Sequence, residues 1–215
     1  MSFVDYVMRR WPELLEMALQ HALYVLIAVG IAAVIGTGLG VLTYRNRVAS
    51  SLVVTICSMI LTIPSFALFG LMVAWVGLGN GPAVIALVAY ALLPIVRNTV
   101  TGLQGVDPAI GEAAKGMGMS GYMRLVRVDL PLAWPVILTG LRVATMLVVS
   151  IFAIAAYIGA DGLGQEIDRG LSSIGAVFAL DVTLAGTVGI VIVALILDGL
   201  YLALGRATTS KGIRS

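Results

Sequence analysis

Five apolar stretches set the pattern of this chain. They run over roughly 20–44, 50–76, 82–104, 132–158 and 176–205, and each meets the about 20 residues a helix needs to cross a bilayer. The runs are continuous rather than alternating, and lipid admits only helices or closed barrels, which argues against strands. The pattern predicts an all-α membrane protein with five transmembrane helices in a single domain over 20–205. Polar positions gather in three places. Residues 1–19 carry Met8, Trp11, Leu15 and Leu19 at helical spacing, with Arg9, Glu13 and Glu16 on other faces, which predicts a short amphipathic lead-in. The second place is an internal loop over 105–131 and the third a tail over 206–215.

Some stretches contain helix-weakening residues. Pro64 stands mid-span in Ile63-Pro64-Ser65-Phe66, where it removes a backbone bond and predicts a bend, and Pro94 does the same in the third stretch. Gly36 and Gly40 form a GxxxG that serves either close helix packing or a hinge.

Composition agrees with the pattern. The chain is 60% hydrophobic and 11% charged, against about a quarter charged in soluble domains, so no soluble core could bury its apolar surface. Basic residues then give an orientation. Arg45, Arg47, Arg97, Lys115, Arg124, Arg127, Arg206, Lys211 and Arg214 fall on one side of a five-span chain. The other side has Arg9, Arg10 and Arg169, diluted by Asp5, Glu13, Glu16, Asp161, Glu166 and Asp168. The expected N-terminus is outside, with the 105–131 loop and the C-terminus in the cytoplasm. No cleavable signal peptide is expected, because Asp5, Glu13 and Glu16 interrupt any apolar core near the start. The single cysteine, Cys57, excludes an intramolecular disulfide and reads as a small packing residue.

The internal loop carries the most information. Asp107-Pro108 is an N-cap followed by Pro at the first helical position. A short helix then runs through Glu112-Ala113-Ala114-Lys115 until Gly116 and Gly118 stop it. Ser120 caps a second short helix with Tyr122, Arg124, Leu125 and Val128, and Leu130-Pro131 marks the start of the fourth span. Such a helix–turn–helix exposes a charge and two small side chains, so a partner's groove could seat its backbone deeply.

The segment Glu112-Ala113-Ala114, three residues, Gly118, nine residues, Val128, one residue, Leu130-Pro131 resembles the EAA motif of type I ABC importer permeases. Val128 in place of Ile is its one departure. Two further segments extend the resemblance over nearly the whole chain. Thr62-Ile63-Pro64-Ser65-Phe66-Ala67-Leu68 resembles the second-span signature of the glycine betaine/carnitine/choline branch. Ile158-Gly159-Ala160-Asp161-Gly162-Leu163-Gly164 resembles the Gly-rich outer loop of that branch and of methionine permeases, with Asp161 where many relatives have Gly. The resemblance implies an inner-membrane subunit whose loop, through Glu112, Ala113, Ala114, Lys115, Gly118, Leu130 and Pro131, docks on a separate ATPase dimer holding ATP and Mg. It also implies a second permease, identical or paralogous, and a solute-binding protein outside. The solute would be an osmoprotectant or quaternary amine, with methionine or another small solute as the alternative. ATP hydrolysis by the partner would switch the pore between outward and inward access.

Within the spans, Arg142 is the charge at greatest cost, since an unpaired charge at the bilayer centre costs at least about 2.5–3.5 kcal/mol. It is expected either to pair with an acid, Asp198 or Asp181, or to line the path. Pro64, Ser65, Phe66, Tyr90 and Tyr157 complete the expected path. Tyr90, Phe152 and Tyr157 could form an aromatic surface for quaternary ammonium, although aromatics in apolar helices usually pack. His21 is expected as an interfacial residue at the outer end of the first span. Trp11 and Trp75 are expected at the outer interface and Trp134 at the inner one. The sequence holds no G-x-x-x-x-G-K-[ST] phosphate loop, no metal-ligand cluster and no nucleophile constellation, so no catalytic residue, no cofactor on this chain and no nucleic-acid partner is expected. Two rivals remain at this point. An ion-coupled secondary transporter would need internal repeats and midplane charges, and a membrane scaffold would use the loop only for recruitment.

Overall fold

The computed structural model describes residues 3–208. Ten α-helices follow in order: α1 (Phe3–Arg9), α2 (Trp11–Thr43), α3 (Arg47–Thr62), α4 (Ser65–Val76), α5 (Asn80–Gln104), α6 (Pro108–Gly116), α7 (Gly121–Arg124), α8 (Leu130–Phe152), α9 (Gly164–Ser172) and α10 (Ala179–Thr208). A π turn at Leu125–Asp129 joins α7 to α8, and a 3-10 segment at Ala153–Ile158 extends α8. No strand occurs among the described residues.

Four of these helical runs are long and apolar enough to cross a membrane, and α3 with α4 makes a fifth if that bent pair is one span. The five apolar stretches thus become four straight spans and one broken one. Helix α5 is the centre of the bundle, packed against α2, α3, α4 and α8. Its Ala86, Leu87, Ala91 and Ile95 are fully enclosed. Gly36 and Gly40 of α2 face Ile95 and Thr99 of α5, where an added Cβ would come within 2.9 and 2.6 Å of side-chain carbons. The GxxxG is therefore a packing face.

Four expectations need correction. First, residues 1–19 do not form a separate lead-in, because α2 already starts at Trp11. His21 consequently lies ten residues into a continuous helix. It is fully buried, with Nε2 3.1 Å from the Val149 carbonyl oxygen and its ring edge-on to Phe152. Second, Pro64 does not bend a helix but ends one: α3 and α4 meet at 94°. Steric conflict with the proline ring drives Ile63 to extended backbone (ψ 127°), and Pro64 follows it (ψ 133°). Pro94, by contrast, sits inside an unbroken α5.

Third, Leu130-Pro131 does begin α8, but no loop separates it from what precedes. The helix runs on from Gly121 to Ile158. The wider π turn, in which the Leu130 amide bonds to the Leu125 carbonyl, carries the helix up to a proline that has no N–H to donate. Fourth, the region after the fourth span holds a helix, α9, that no apolar pattern announces. The tail expected over 206–215 is helical to Thr208, and its Lys211 and Arg214 lie outside the described residues.

Gly164 shows how tightly α9 is seated. A Cβ there would fall 2.2 Å from the Ala153 carbonyl oxygen and 2.9 Å from its carbon, both backbone atoms that cannot swing away. Gly164→Ala is expected to destabilise the purified protein by about 1–3 kcal/mol through overpacking. Thermal melting in detergent reads the effect, and a melting temperature equal to the parent's would contradict it.

Candidate functional site

The internal loop over 105–131 is built from local rules. The Asp107 carboxylate accepts the Ala109 amide at 2.8 Å and caps α6, with Pro108 in its first turn. At the other end Gly118 has φ +78°. Its amide donates to the Lys115 carbonyl at 2.9 Å and the Met119 amide to the Ala114 carbonyl at 3.1 Å. These two bonds form a Schellman cap, and the left-handed residue it needs is Gly118. Ser120 then caps the next turn, accepting the Met123 amide at 3.2 Å.

Glu112, Ala113 and Lys115 are exposed on α6, while Ala114 is buried at 1% exposure. Only one of the two alanines therefore faces outward, and the other lets α6 sit close to its own base. That base is an ion-pair network that sequence reasoning missed. Arg124 donates to Asp129 at 3.2 Å, Arg45 Nε to the Tyr44 hydroxyl at 2.8 Å, and the Tyr44 hydroxyl lies 3.4 Å from Asp129. Asp129 is 4% exposed. The Gln104 side chain also donates to the Tyr44 carbonyl at 2.8 Å, which brings the ends of α2 and α5 together at this pole of the bundle. Between α6 and the base lies a cleft of about 260 Å³ walled by Asp107, Gly111, Glu112, Lys115, Arg124 and Asp129. Trp134 Nε1 donates to Thr208 Oγ1 at 2.8 Å at the same pole.

The opposite pole holds two more polar clusters. The Glu166 carboxylate of α9 is completely buried. It accepts Arg10 Nη1 at 2.8 and 3.0 Å, Arg169 Nη1 at 2.7 Å and the Tyr6 hydroxyl. Burial, then the bond to the Glu166 carboxylate, pushes the Tyr6 phenol up. Burial alone would lower the Arg10 guanidinium, but its bonds to Glu13, Tyr6 and Glu166 outweigh that and raise it. In the second cluster Asn80 donates to Asp161 at 2.6 Å and to the Tyr24 hydroxyl at 2.8 Å, and accepts the Asp161 amide at 2.8 Å. Asp161, the departure from the Gly-rich pattern, thus ties its loop to the start of α5. The i,i+3 spacing of Glu166 and Arg169 was readable, but nothing local pointed from either to Arg10 or Tyr6.

The expected path residues separate. Tyr90 is 2% exposed and donates to the Ile63 carbonyl at 2.7 Å, so it supports the break in the second span instead of facing open space. Phe152 is enclosed between His21 and Tyr24. Pro64 is exposed and Ser65 half-buried, while Phe66 and Tyr157 are exposed and lie edge-to-face with ring centroids 6.1 Å apart. Arg142 makes a two-pronged pair with Asp198, at 2.5 and 2.7 Å, and both side chains remain partly exposed. No group of His, Cys, Asp and Glu suited to a metal occurs among the described residues.

The family described as "Binding-protein-dependent transport system inner membrane component" matches residues 19–210. The chain belongs to this family. It is a multi-pass membrane protein and, within a transport system, the component that spans the membrane. The osmoprotectant import permease protein OsmW of Salmonella typhimurium (strain LT2) is 41% identical over the full length of both chains. The glycine betaine/carnitine/choline transport system permease protein OpuCB of Bacillus subtilis (strain 168) is 34% identical over 99% of this chain and 96% of its own. Among solved structures, a chain of the MetNI methionine ABC transporter in an inward-facing form superposes with a TM-score of 0.79 at 25% identity. The match covers 92% of this chain and 96% of that one.

Proposed function

We propose that this permease forms the translocation path for an osmoprotectant or quaternary amine of the glycine betaine, choline or carnitine type, within an ABC importer. The coupling pole carries the reading. There α6, capped at both ends, displays Glu112, Ala113 and Lys115 beside a polar cleft and makes no ion pair through Glu112 among the described residues. An ATPase dimer holding ATP and Mg docks on this helix from the cytoplasm, and a solute-binding protein delivers solute to the opposite pole, where α9 and the Gly159–Gly164 loop lie. The basic residues at the α6 pole support the N-out orientation. A second permease, identical or paralogous, completes the pore. The solute class follows the names of the relatives that match over the full chain.

The test is uptake by proteoliposomes containing this chain, its ATPase and its binding protein. ATP-dependent entry of glycine betaine or choline, not matched by methionine, supports the reading. Entry driven by an ion gradient without ATPase would overturn it. Glu112→Lys is expected to cut ATP-coupled uptake by at least about tenfold, because reversing a charge at a docking surface sets like charges against each other. Its folding should be unaffected, as measured by the protein's elution and yield in detergent. Undiminished uptake would remove α6 as the docking element.

A further inference from the structure

Granted the quaternary-amine path proposed above, we infer that Phe66 and Tyr157 form the surface on which the trimethylammonium head rests during passage, and that this pair helps to set selectivity inside the membrane domain. The two rings meet at 80° with centroids 6.1 Å apart, which makes two walls of a corner. Phe66 is 61% and Tyr157 52% exposed, so both present ring surface that nothing in this chain covers. A cation within about 6 Å of a ring centroid is attracted by the ring's negative face, and a corner offers two such faces at once.

Lipid is the wrong environment for this corner. Phe66 follows directly on the 94° break at Ile63–Pro64, where the helical ladder is interrupted. The Ile63 amide reaches back only to Ile60, and the next bond forward runs from the Leu68 amide to Pro64. Tyr157 stands in the 3-10 segment, one residue before Ile158, whose carbonyl accepts the Gly79 amide at 2.9 Å, and two before Gly159 with φ +79°. Non-helical backbone at membrane depth persists only where protein covers it or where it borders water. Phe66 therefore borders the strip of the molecule least compatible with hydrocarbon, and Tyr157 stands against it. The other aromatic candidates are occupied: Tyr90 holds the break and Phe152 packs on His21 and Tyr24.

The experiment introduces phenylalanines with one, two and three ring fluorines at position 66, in the complete complex with ATPase and binding protein. Fluorination drains the ring's negative face while nearly preserving its size. Choline uptake is expected to fall stepwise, by roughly three- to tenfold at the third fluorine, while binding-protein-stimulated ATP hydrolysis stays at the parent's level. Tyr157→Leu should lower uptake in the same way, and Tyr157→Phe should not. A flat series, or uptake and ATP hydrolysis falling together as a structural defect would make them, overturns the assignment but leaves the transport reading standing. A parent complex that moves no quaternary amine at all overturns both.

Discussion

Glu166→Ala is expected to lower the stability of the folded chain by about 3–5 kcal/mol, the general cost of removing one partner from a buried ion pair. The carboxylate has no exposed surface and is shared by Arg10, Arg169 and Tyr6. Removing it leaves the Arg10 side chain, itself 20% exposed, without its buried counter-charge. Arg169, at 47% exposed, can turn to water and should matter less. The contacts join the start of the chain to α9 across 156 positions, so their loss should free α1 from its seat against α10. Membrane yield and melting temperature in detergent measure the first effect, and protease sensitivity near Arg9 the second. A variant as stable as the parent would show that packing of Tyr6 and Leu14, not charge, holds this end together.

Asp198→Asn is expected to cost at least about tenfold in transport-competent protein, because it leaves Arg142 uncompensated within a membrane-spanning helix. Arg142 and Asp198 are 40% and 24% exposed in the single chain, so the pair lies at the surface of the bundle rather than in its core. The exchange Arg142→Asp with Asp198→Arg should recover part of the loss, since the pair would re-form with its sense reversed. Uptake normalised to membrane level separates a folding defect from a path defect. Equal uptake by parent and Asp198→Asn would remove the pair from both roles.

The parts of this molecule that were legible in its sequence are the ones whose causes are local. Asp107 caps an amide two residues away, Gly118 answers to carbonyls of the turn before it, and both were readable without knowing the bundle. The site of the break at Pro64 was equally plain, but not its size. A right angle requires Ile63 and Pro64 to be extended together and Tyr90 to hold the freed carbonyl, and Tyr90 is 27 positions away. The burial of His21 was missed for a related reason: the apolar run starts at about residue 20, whereas helical bonding starts at Trp11 and packs His21 on both sides. Helix α9 and the Glu166 cluster lay beyond reach because their polar residues look like any loop until Arg10 and Tyr6 arrive from the far end of the chain.

The absence of a loop before Leu130-Pro131 has a mechanical meaning. From Gly121 to Ile158 the chain runs on as one helical rod, through a π turn at Leu125–Asp129 and a 3-10 end at Ala153–Ile158, and 38 residues at 1.5 Å each make it roughly 55 Å long, well beyond the hydrocarbon thickness. A lever of that length has no loop in which to lose a displacement. Whatever pushes on α6 tilts the rod as a unit, so a rotation of about ten degrees at the coupling end sweeps Tyr157 through roughly 10 Å at the other.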